Sequence, residues 1–258
     1  MADLSRYVVT GNVPDNLVKS PAFLEGRFGA DVYEAYQREK AVTYQGNPNL
    51  KLSQEKGVIV GSNFFDSVLV NQLLKNGRVQ GNPRTALPAD LINPEVLVMI
   101  KGSYYVDSQA LVLRGTADSV YPKNEPLVRF LAEQKGVDLS RLEREPALMY
   151  GFDLKLDESG EGYGLLAVPN KDFTILHDDR LAGKWNEYKF DTVDEKGLPV
   201  DLDERNGSRV WYTRKDGLSG LYLDGGLDLS SGWNDLDDSG LIGRVVILSG
   251  EATVPEKT

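Results

Sequence analysis

The amino-acid sequence predicts an α+β fold with a mixed N-terminal half and an antiparallel, β-rich C-terminal half built from hairpins. Three observations predict it. Residues 62–76 and 124–135 carry apolar side chains at helical spacing after a polar residue that can cap a helix. Residues 148–156 alternate apolar and polar side chains, as a half-buried strand does. Beyond residue 156, Asp-Gly, Asn-Gly and Ser-Gly pairs separate short apolar runs, which is typical of hairpins.

In the first half, three shorter elements precede the first of these helices. Residues 7–9 are expected to form a strand, and residues 31–40 a helix with its apolar side chains on one face. The apolar run at residues 58–60 predicts a buried strand. Ser62 follows that run and is placed to act as the N-cap of the helix.

Between the two long helices, the sequence predicts a proline-rich loop followed by strands. Its three prolines leave room for one turn of helix, at residues 88–91. Residues 96–100 and 109–113 are short apolar runs rich in branched side chains, so we expect strands there. Asn124 is then placed to cap the second long helix.

The second half predicts short strands joined by tight turns. The expected strands are residues 148–156, 163–168, 173–176, 210–213, 221–223 and 244–248. The last three are expected to form an antiparallel hairpin array that includes an acidic loop.

The charged segment at residues 137–146 is the best candidate for a domain boundary, because the composition then changes to hairpin-rich β. It predicts a mixed region at residues 1–140, a β-rich region at 141–250 and a polar tail at 251–258. One continuous domain covering the first two regions is the alternative.

Composition excludes several classes of site. The chain contains no cysteine, which excludes a disulfide scaffold, a cysteine-ligated zinc or iron–sulfur site and a thiol nucleophile. Its one histidine, His177, excludes sites that need two imidazoles. No stretch is apolar enough for a signal peptide or a membrane span, which predicts a cytoplasmic protein. The formal charge of −10 opposes non-specific binding to phosphates.

A candidate calcium site lies in the acidic loop before the last strand. Asp235, Asp237 and Ser239, followed by Gly240, match the spacing of the first half of a calcium-binding loop. The closing position of that loop needs a glutamate, and here it is Val246. The alternative is a turn whose side chains bind their own backbone. Calcium is the only cofactor that the sequence suggests.

A second candidate site combines aromatic and basic residues on predicted strands. Such residues hold single-stranded nucleic acids, because the rings stack on bases and the cations neutralise phosphates. The candidates are Lys101, Tyr104, Tyr105, Lys184, Trp185, Trp211, Tyr212, Arg214 and Lys215. The alternative is that these aromatic residues fill a β core.

These observations favour a soluble, non-enzymatic binding or assembly protein that has a protein partner or associates with itself. The chain offers much strand and loop surface and few of the residue types that catalysis usually requires. The first alternative is a single-stranded nucleic-acid-binding protein. The second is a hydrolase that depends on carboxylates or a divalent metal, since such enzymes need only acidic residues.

Overall fold

The computed structural model describes residues 21–77, 79, 81–115, 121–134, 137–142, 144–183 and 188–249. Within these residues the α+β prediction is confirmed, because helices pack on mixed and antiparallel sheets. The expected strand at residues 7–9, the polar tail at 251–258, and Lys184 and Trp185 lie outside the described residues.

Helices are concentrated before residue 143. The α-helices are α1 (Gly26–Val42), α2 (Phe64–Asn76), α3 (Pro94–Ile100), α4 (Glu125–Ala132) and α5 (Leu139–Leu142). Short 3-10 turns lie at Pro88–Ile92, Pro122–Asn124 and Asp179–Leu181. The expected helices at residues 31–40, 62–76 and 124–135 are therefore confirmed as α1, α2 and α4, with shifted ends.

Thirteen strands are found in the described part of the chain. The first seven are β1 (Ala22–Phe23), β2 (Ser53–Glu55), β3 (Val58–Val60), β4 (Arg84–Thr85), β5 (Tyr105–Arg114), β6 (Ala147–Leu156) and β7 (Leu165–His177). The others are β8 (Tyr188–Phe190), β9 (Arg209–Tyr212), β10 (Gly217–Leu223), β11 (Leu229–Ser230), β12 (Gly243–Arg244) and β13 (Val246–Leu248).

Strand β5 lies at the centre of the larger sheet. On one edge it pairs antiparallel with β10, and on the other it pairs antiparallel with β6 and parallel with β12. The path continues from β12 to β3 and β2, and from β10 to β11, β9 and β8, while β7 pairs with β6. A separate three-stranded sheet has the order β1-β13-β4.

Two clusters of buried side chains cover the two faces of the large sheet. Leu111 and Leu113 of β5 pack with helices α1, α2 and α4, whereas Ala110 and Val112 pack with α3 and the strands around β9. Since successive side chains on a strand point to opposite faces, β5 is covered on both sides. Burial on both sides explains its continuous apolar run.

Several local predictions are wrong. Residues 96–100 are helical, not a strand, because Pro94 starts α3 and the Asn93 side chain accepts the Glu95 N–H at 2.9 Å. The predicted strands at 163–168 and 173–176 are parts of one long strand, β7. The predicted array of the last three strands does not form, since β9 pairs in parallel with β11 and β13 joins the other sheet.

Two predicted helix caps are also wrong, because both side chains have other partners. Asn63, not Ser62, caps α2 and accepts the Asp66 N–H at 2.9 Å. The Ser62 hydroxyl donates instead to Asp107 at 2.8 Å. Asn124 begins α4 without a side-chain cap, and its amide donates to backbone carbonyls elsewhere.

The division of the chain near residue 140 stays a prediction. Strands β6 and β10 pair with β5 across that position, and both core clusters contain residues from either side of it. None of the helices in the described ranges is long and apolar enough to cross a membrane.

Candidate functional site

Two tyrosine–aspartate pairs meet where β5 and β10 run side by side. The sequences Tyr105-Val-Asp107 and Tyr222-Leu-Asp224 are each a tyrosine and an aspartate two residues apart, so both side chains of a pair point to one face. The antiparallel register places Tyr222 opposite Asp107. The two tyrosine rings meet edge to face, with centroids 6.1 Å apart.

The facing wall is the acidic loop, residues 233–243, which is tied to the body of the protein by ionic and hydrogen bonds. Its Asp237 carboxylate is buried between Lys123, at 2.6 Å, and Lys51, at 3.1 Å. The Tyr163 hydroxyl accepts a backbone N–H of the loop at 3.0 Å. These bonds hold the wall in place before any ligand arrives, which lowers the entropic cost of binding.

Between these walls lies a cavity of about 400 Å³, named here the acidic pocket. None of its described lining residues is basic. The carboxylates that line it are Asp107, Asp224, Asp235 and Asp238. The aromatic rings that line it are Phe64, Tyr105, Tyr222 and Trp233. The pocket therefore combines negative charge with aromatic surface.

The four carboxylates have different environments. Burial raises the pKa of Asp107 to about 8, helped by the Asp66 and Asp238 carboxylates and opposed by the Ser62 hydrogen bond. A hydrogen bond with Asp237 and burial raise the pKa of Asp235, opposed by the Lys123 ammonium 3.8 Å away. Among the described residues, the Asp238 carboxylate accepts no hydrogen bond and forms no ion pair. Asp238 is thus the carboxylate with most freedom to bind a ligand.

Tyr105 is positioned by contacts at its hydroxyl and beside its ring. The hydroxyl donates to the Ser62 carbonyl at 3.0 Å and accepts the Gly240 N–H at 2.6 Å. A Cβ atom on residue 243 would lie 2.6 Å from the ring, so only glycine fits at Gly243. The hydrogen bonds of the Tyr105 hydroxyl thus tie β5 to the acidic loop.

The candidate calcium residues are divided between two environments. Asp235 and Ser239 line the acidic pocket, whereas the carboxylate of Asp237 is held by its two lysines. Over the ranges that the structure describes, no three acidic or histidine side chains are grouped so that they could hold a metal ion. Calcium binding stays a prediction.

The aromatic residues of the candidate nucleic-acid site do not share one surface. Trp211 is buried, and its indole N–H donates to the Arg180 carbonyl at 2.7 Å. Tyr104 contacts the Phe23 ring at 5.3 Å and the Arg244 guanidinium at 4.2 Å. Tyr105 lines the acidic pocket, where phosphates would be repelled.

The remaining candidates for nucleic-acid binding lie nearer the surface. Lys101 and Lys215 are exposed, and Tyr212 is half-buried. Arg214 and Lys215 line a second cavity beside Trp233. Nucleic-acid binding stays a prediction.

Sequence reasoning missed Asp107, Tyr222 and Asp224 as site residues, and it also missed Phe64, Trp233 and Asp238. The signal that could have found the first three is the repeated Tyr-x-Asp pattern at the start of one strand and the end of another. No local sequence pattern identifies Trp233 as a site residue, because it reaches the pocket through the path of the acidic loop.

Comparison with known proteins gives no relative: no protein-family model, curated protein or solved structure matches the chain. Function is therefore inferred from the geometry of the acidic pocket.

Proposed function

We propose that this is a non-enzymatic binding protein whose ligand is a small organic cation. The observation that carries the proposal is the composition of the acidic pocket, in which four carboxylates and four aromatic rings meet without a basic residue in its described lining. Its volume of about 400 Å³ is in the range of pockets that enclose small molecules.

An organic cation suits both parts of this lining. Its charge is attracted by carboxylates in a partly enclosed site, where water screens the interaction less than in bulk. Its carbon atoms contact the rings, whose faces attract cations, and quaternary ammonium groups are recognised in this way. Metal ions of the calcium type take oxygen ligands only, so the four rings would contribute nothing to them.

Binding of this kind needs no catalytic group. The single histidine lies at the end of β7, where its Nδ1 is 2.9 Å from the Glu145 carbonyl, and it does not line the pocket. A cytoplasmic location and assembly with a protein partner or with a second copy stay predictions alongside this proposal.

Choline is a suitable probe, because it carries a permanent positive charge. Replacing Asp238 with asparagine should weaken choline binding about tenfold, since the variant loses the most available carboxylate. Isothermal titration calorimetry of both proteins at low ionic strength measures the difference.

Two controls separate a pocket effect from a general charge effect. Asp201→Asn removes the same charge from an exposed turn outside the pocket, where asparagine tolerates the positive φ of 54°. Dimethylbutanol, the uncharged isostere of choline, should bind much more weakly than choline. Equal losses in Asp238→Asn and Asp201→Asn, or equal binding of the two ligands, would contradict the proposal.

The affinity for choline should rise with pH because of Asp107. Burial raises the pKa of Asp107 to about 8, so the side chain is mostly neutral at pH 7 and gains a negative charge above pH 8. We expect choline to bind about threefold to tenfold more tightly at pH 9 than at pH 7. Calorimetry across this range should show the increase in the natural protein and not in Asp107→Asn.

The other groups in the pocket leave this pH dependence interpretable. Choline does not titrate, and burial raises the pKa values of Tyr105 and Tyr222, so both hydroxyls stay protonated over the range. If the affinity of Asp107→Asn for choline increased with pH as much as that of the natural protein, the pH dependence would arise from another group.

A carboxylate-dependent hydrolase is the second candidate, and one observation favours it. Burial raises the pKa of Asp107 to about 8, so this carboxyl is mostly protonated at neutral pH, and it lines the same cavity as the Asp238 carboxyl. Glycosidases use such a pair as acid and base or nucleophile. Turnover of nitrophenyl glycosides that is lost in Asp107→Asn would favour hydrolysis over binding.

A further inference from the structure

A second cavity, of about 580 Å³, adjoins the acidic pocket and shares Trp233 with it. Its lining includes Thr213, Arg214, Lys215, Asp216, Trp233 and Asn234. This cavity is named the basic groove. We propose that the basic groove binds a small oxyanion of the phosphate class. The site is distinct from the one proposed for organic cations and does not depend on it.

Two cations and one carboxylate line the groove. Among the ion pairs of the described residues, none involves Arg214 or Lys215, although Asp216 lines the same groove. The Arg214 guanidinium has one protein contact, a long hydrogen bond of 3.3 Å to the Gly232 carbonyl. Its other N–H donors have no protein acceptor in the described part of the chain, and a planar guanidinium can bind a phosphate through two hydrogen bonds.

A third cation, Arg114, lies beneath the groove. It is fully buried, and its guanidinium donates to neutral groups: the Leu181 carbonyl, the Ser219 hydroxyl at 3.0 Å and the Ser231 carbonyl at 3.0 Å. It also donates to the hydroxyl of Thr213, a lining residue, at 3.1 Å. No carboxylate of the described residues pairs with it.

Arg114 therefore adds positive potential to the groove. Burial and the charge of Arg214 lower its pKa to about 9, opposed by the charge of the Asp216 carboxylate, so it stays protonated at neutral pH. A buried charge without a partner is costly, and the field of such a charge is poorly screened. An anion in the groove would be attracted by Arg114 from below and by Arg214 and Lys215 from the sides.

The position of the groove favours a small anion over a nucleic-acid strand. Trp233 forms a wall of both cavities, and Asp235 of the acidic pocket follows two residues later. A strand that continued past Trp233 would bring further phosphates to the four carboxylates of that pocket. The formal charge of −10 opposes a polyanion as well.

Titration with inorganic phosphate, followed by two-dimensional NMR of backbone amides, tests the proposal. We expect saturable shifts at Thr213, Lys215 and Gly183, which also lines the groove, and none with chloride of equal ionic strength. The double substitution Arg214→Gln with Lys215→Gln should weaken phosphate binding at least about tenfold. No saturable shift at these amides, or unchanged binding in the double variant, would overturn the proposal.

A matched control removes the same charge elsewhere. Arg144→Gln with Lys155→Gln replaces two exposed cations outside the groove and should leave phosphate binding unchanged. Titration with oligothymidylate forms the second arm. Tighter binding of the oligonucleotide than of phosphate, with a steep dependence on salt, would overturn the restriction to small anions and assign the groove to single strands. Choline affinity, measured on the same variants, tests the acidic pocket separately.

Discussion

Arg114→Ala is expected to lower the free energy of unfolding by about 2 to 5 kcal/mol, a large share of the stability of a typical domain. The substitution removes the hydrogen bonds that Arg114 donates to the Leu181 and Ser231 carbonyls and to the hydroxyls of Thr213 and Ser219, although each carbonyl keeps the bond donated by one of those two hydroxyls. It also leaves a cavity under the basic groove, because the side chain is completely buried. Each lost hydrogen bond adds to the destabilisation.

Urea unfolding measures this effect through the midpoint, provided that the slope is unchanged. If the alanine variant does not fold, Arg114→Lys keeps the charge and most of the volume and should still lose part of the stability, since an ammonium cannot reach all the acceptors. Arg144→Ala, an exposed arginine, should change stability by no more than about 0.5 kcal/mol. A loss of less than about 1 kcal/mol in both Arg114 variants would show that the network is not needed for stability.

Local sequence signals predicted helices α2 and α4, and they failed at a short apolar run that suits either a helix or a strand. Helix α2 has 13 residues, so periodicity and end signals agree along it, and the 8-residue α4 has a proline in its first turn. The run at residues 96–100 is too short for periodicity to decide, and its branched residues favoured a strand. The signal that decides is Asn93-Pro94 before it, which caps and starts α3.

The acidic pocket depends on contacts that are remote in the sequence. The sequence indicated the acidic loop as a candidate site. The partners of its Asp237, however, are Lys51 and Lys123, and Lys123 is 114 residues from Asp237 in the sequence. Asp107 and Tyr222 meet through the register of β5 and β10, which no local pattern specifies. Residue types thus indicated acidic and aromatic chemistry, while the assembly of the pocket needed the tertiary structure.

The contrast between Asp237 and Asp66 shows how burial decides the state of a carboxylate. Although burial opposes it, hydrogen bonds from Asp235, Lys123 and Lys51 lower the pKa of Asp237 to about 2. Asp66 is buried in α2 with neutral partners, the Tyr36 hydroxyl at 2.5 Å and the Lys51 backbone N–H at 3.1 Å. Burial raises its pKa to about 7, because these bonds offset the loss of water incompletely.

Asp66→Asn should therefore change how stability depends on pH. A raised pKa means that the native state holds its proton more tightly than the unfolded chain. The contribution of Asp66 to stability is fully present below pH 3.8 and is lost as the pH rises to about 7. Relative to Asp66→Asn, which cannot ionise, the natural protein should lose about 2 to 4 kcal/mol between pH 4 and pH 8.

Urea unfolding of both proteins at several pH values gives this difference directly. Asp107, whose pKa is also raised, is present in both proteins, so much of its contribution cancels. Asp66→Ala should be less stable than Asp66→Asn throughout, because it leaves Tyr36 and the Lys51 N–H without their acceptor. Parallel stability curves for the natural protein and Asp66→Asn would mean that Asp66 ionises near its ordinary pKa. Its burial in α2 would then cost far less than its surroundings indicate.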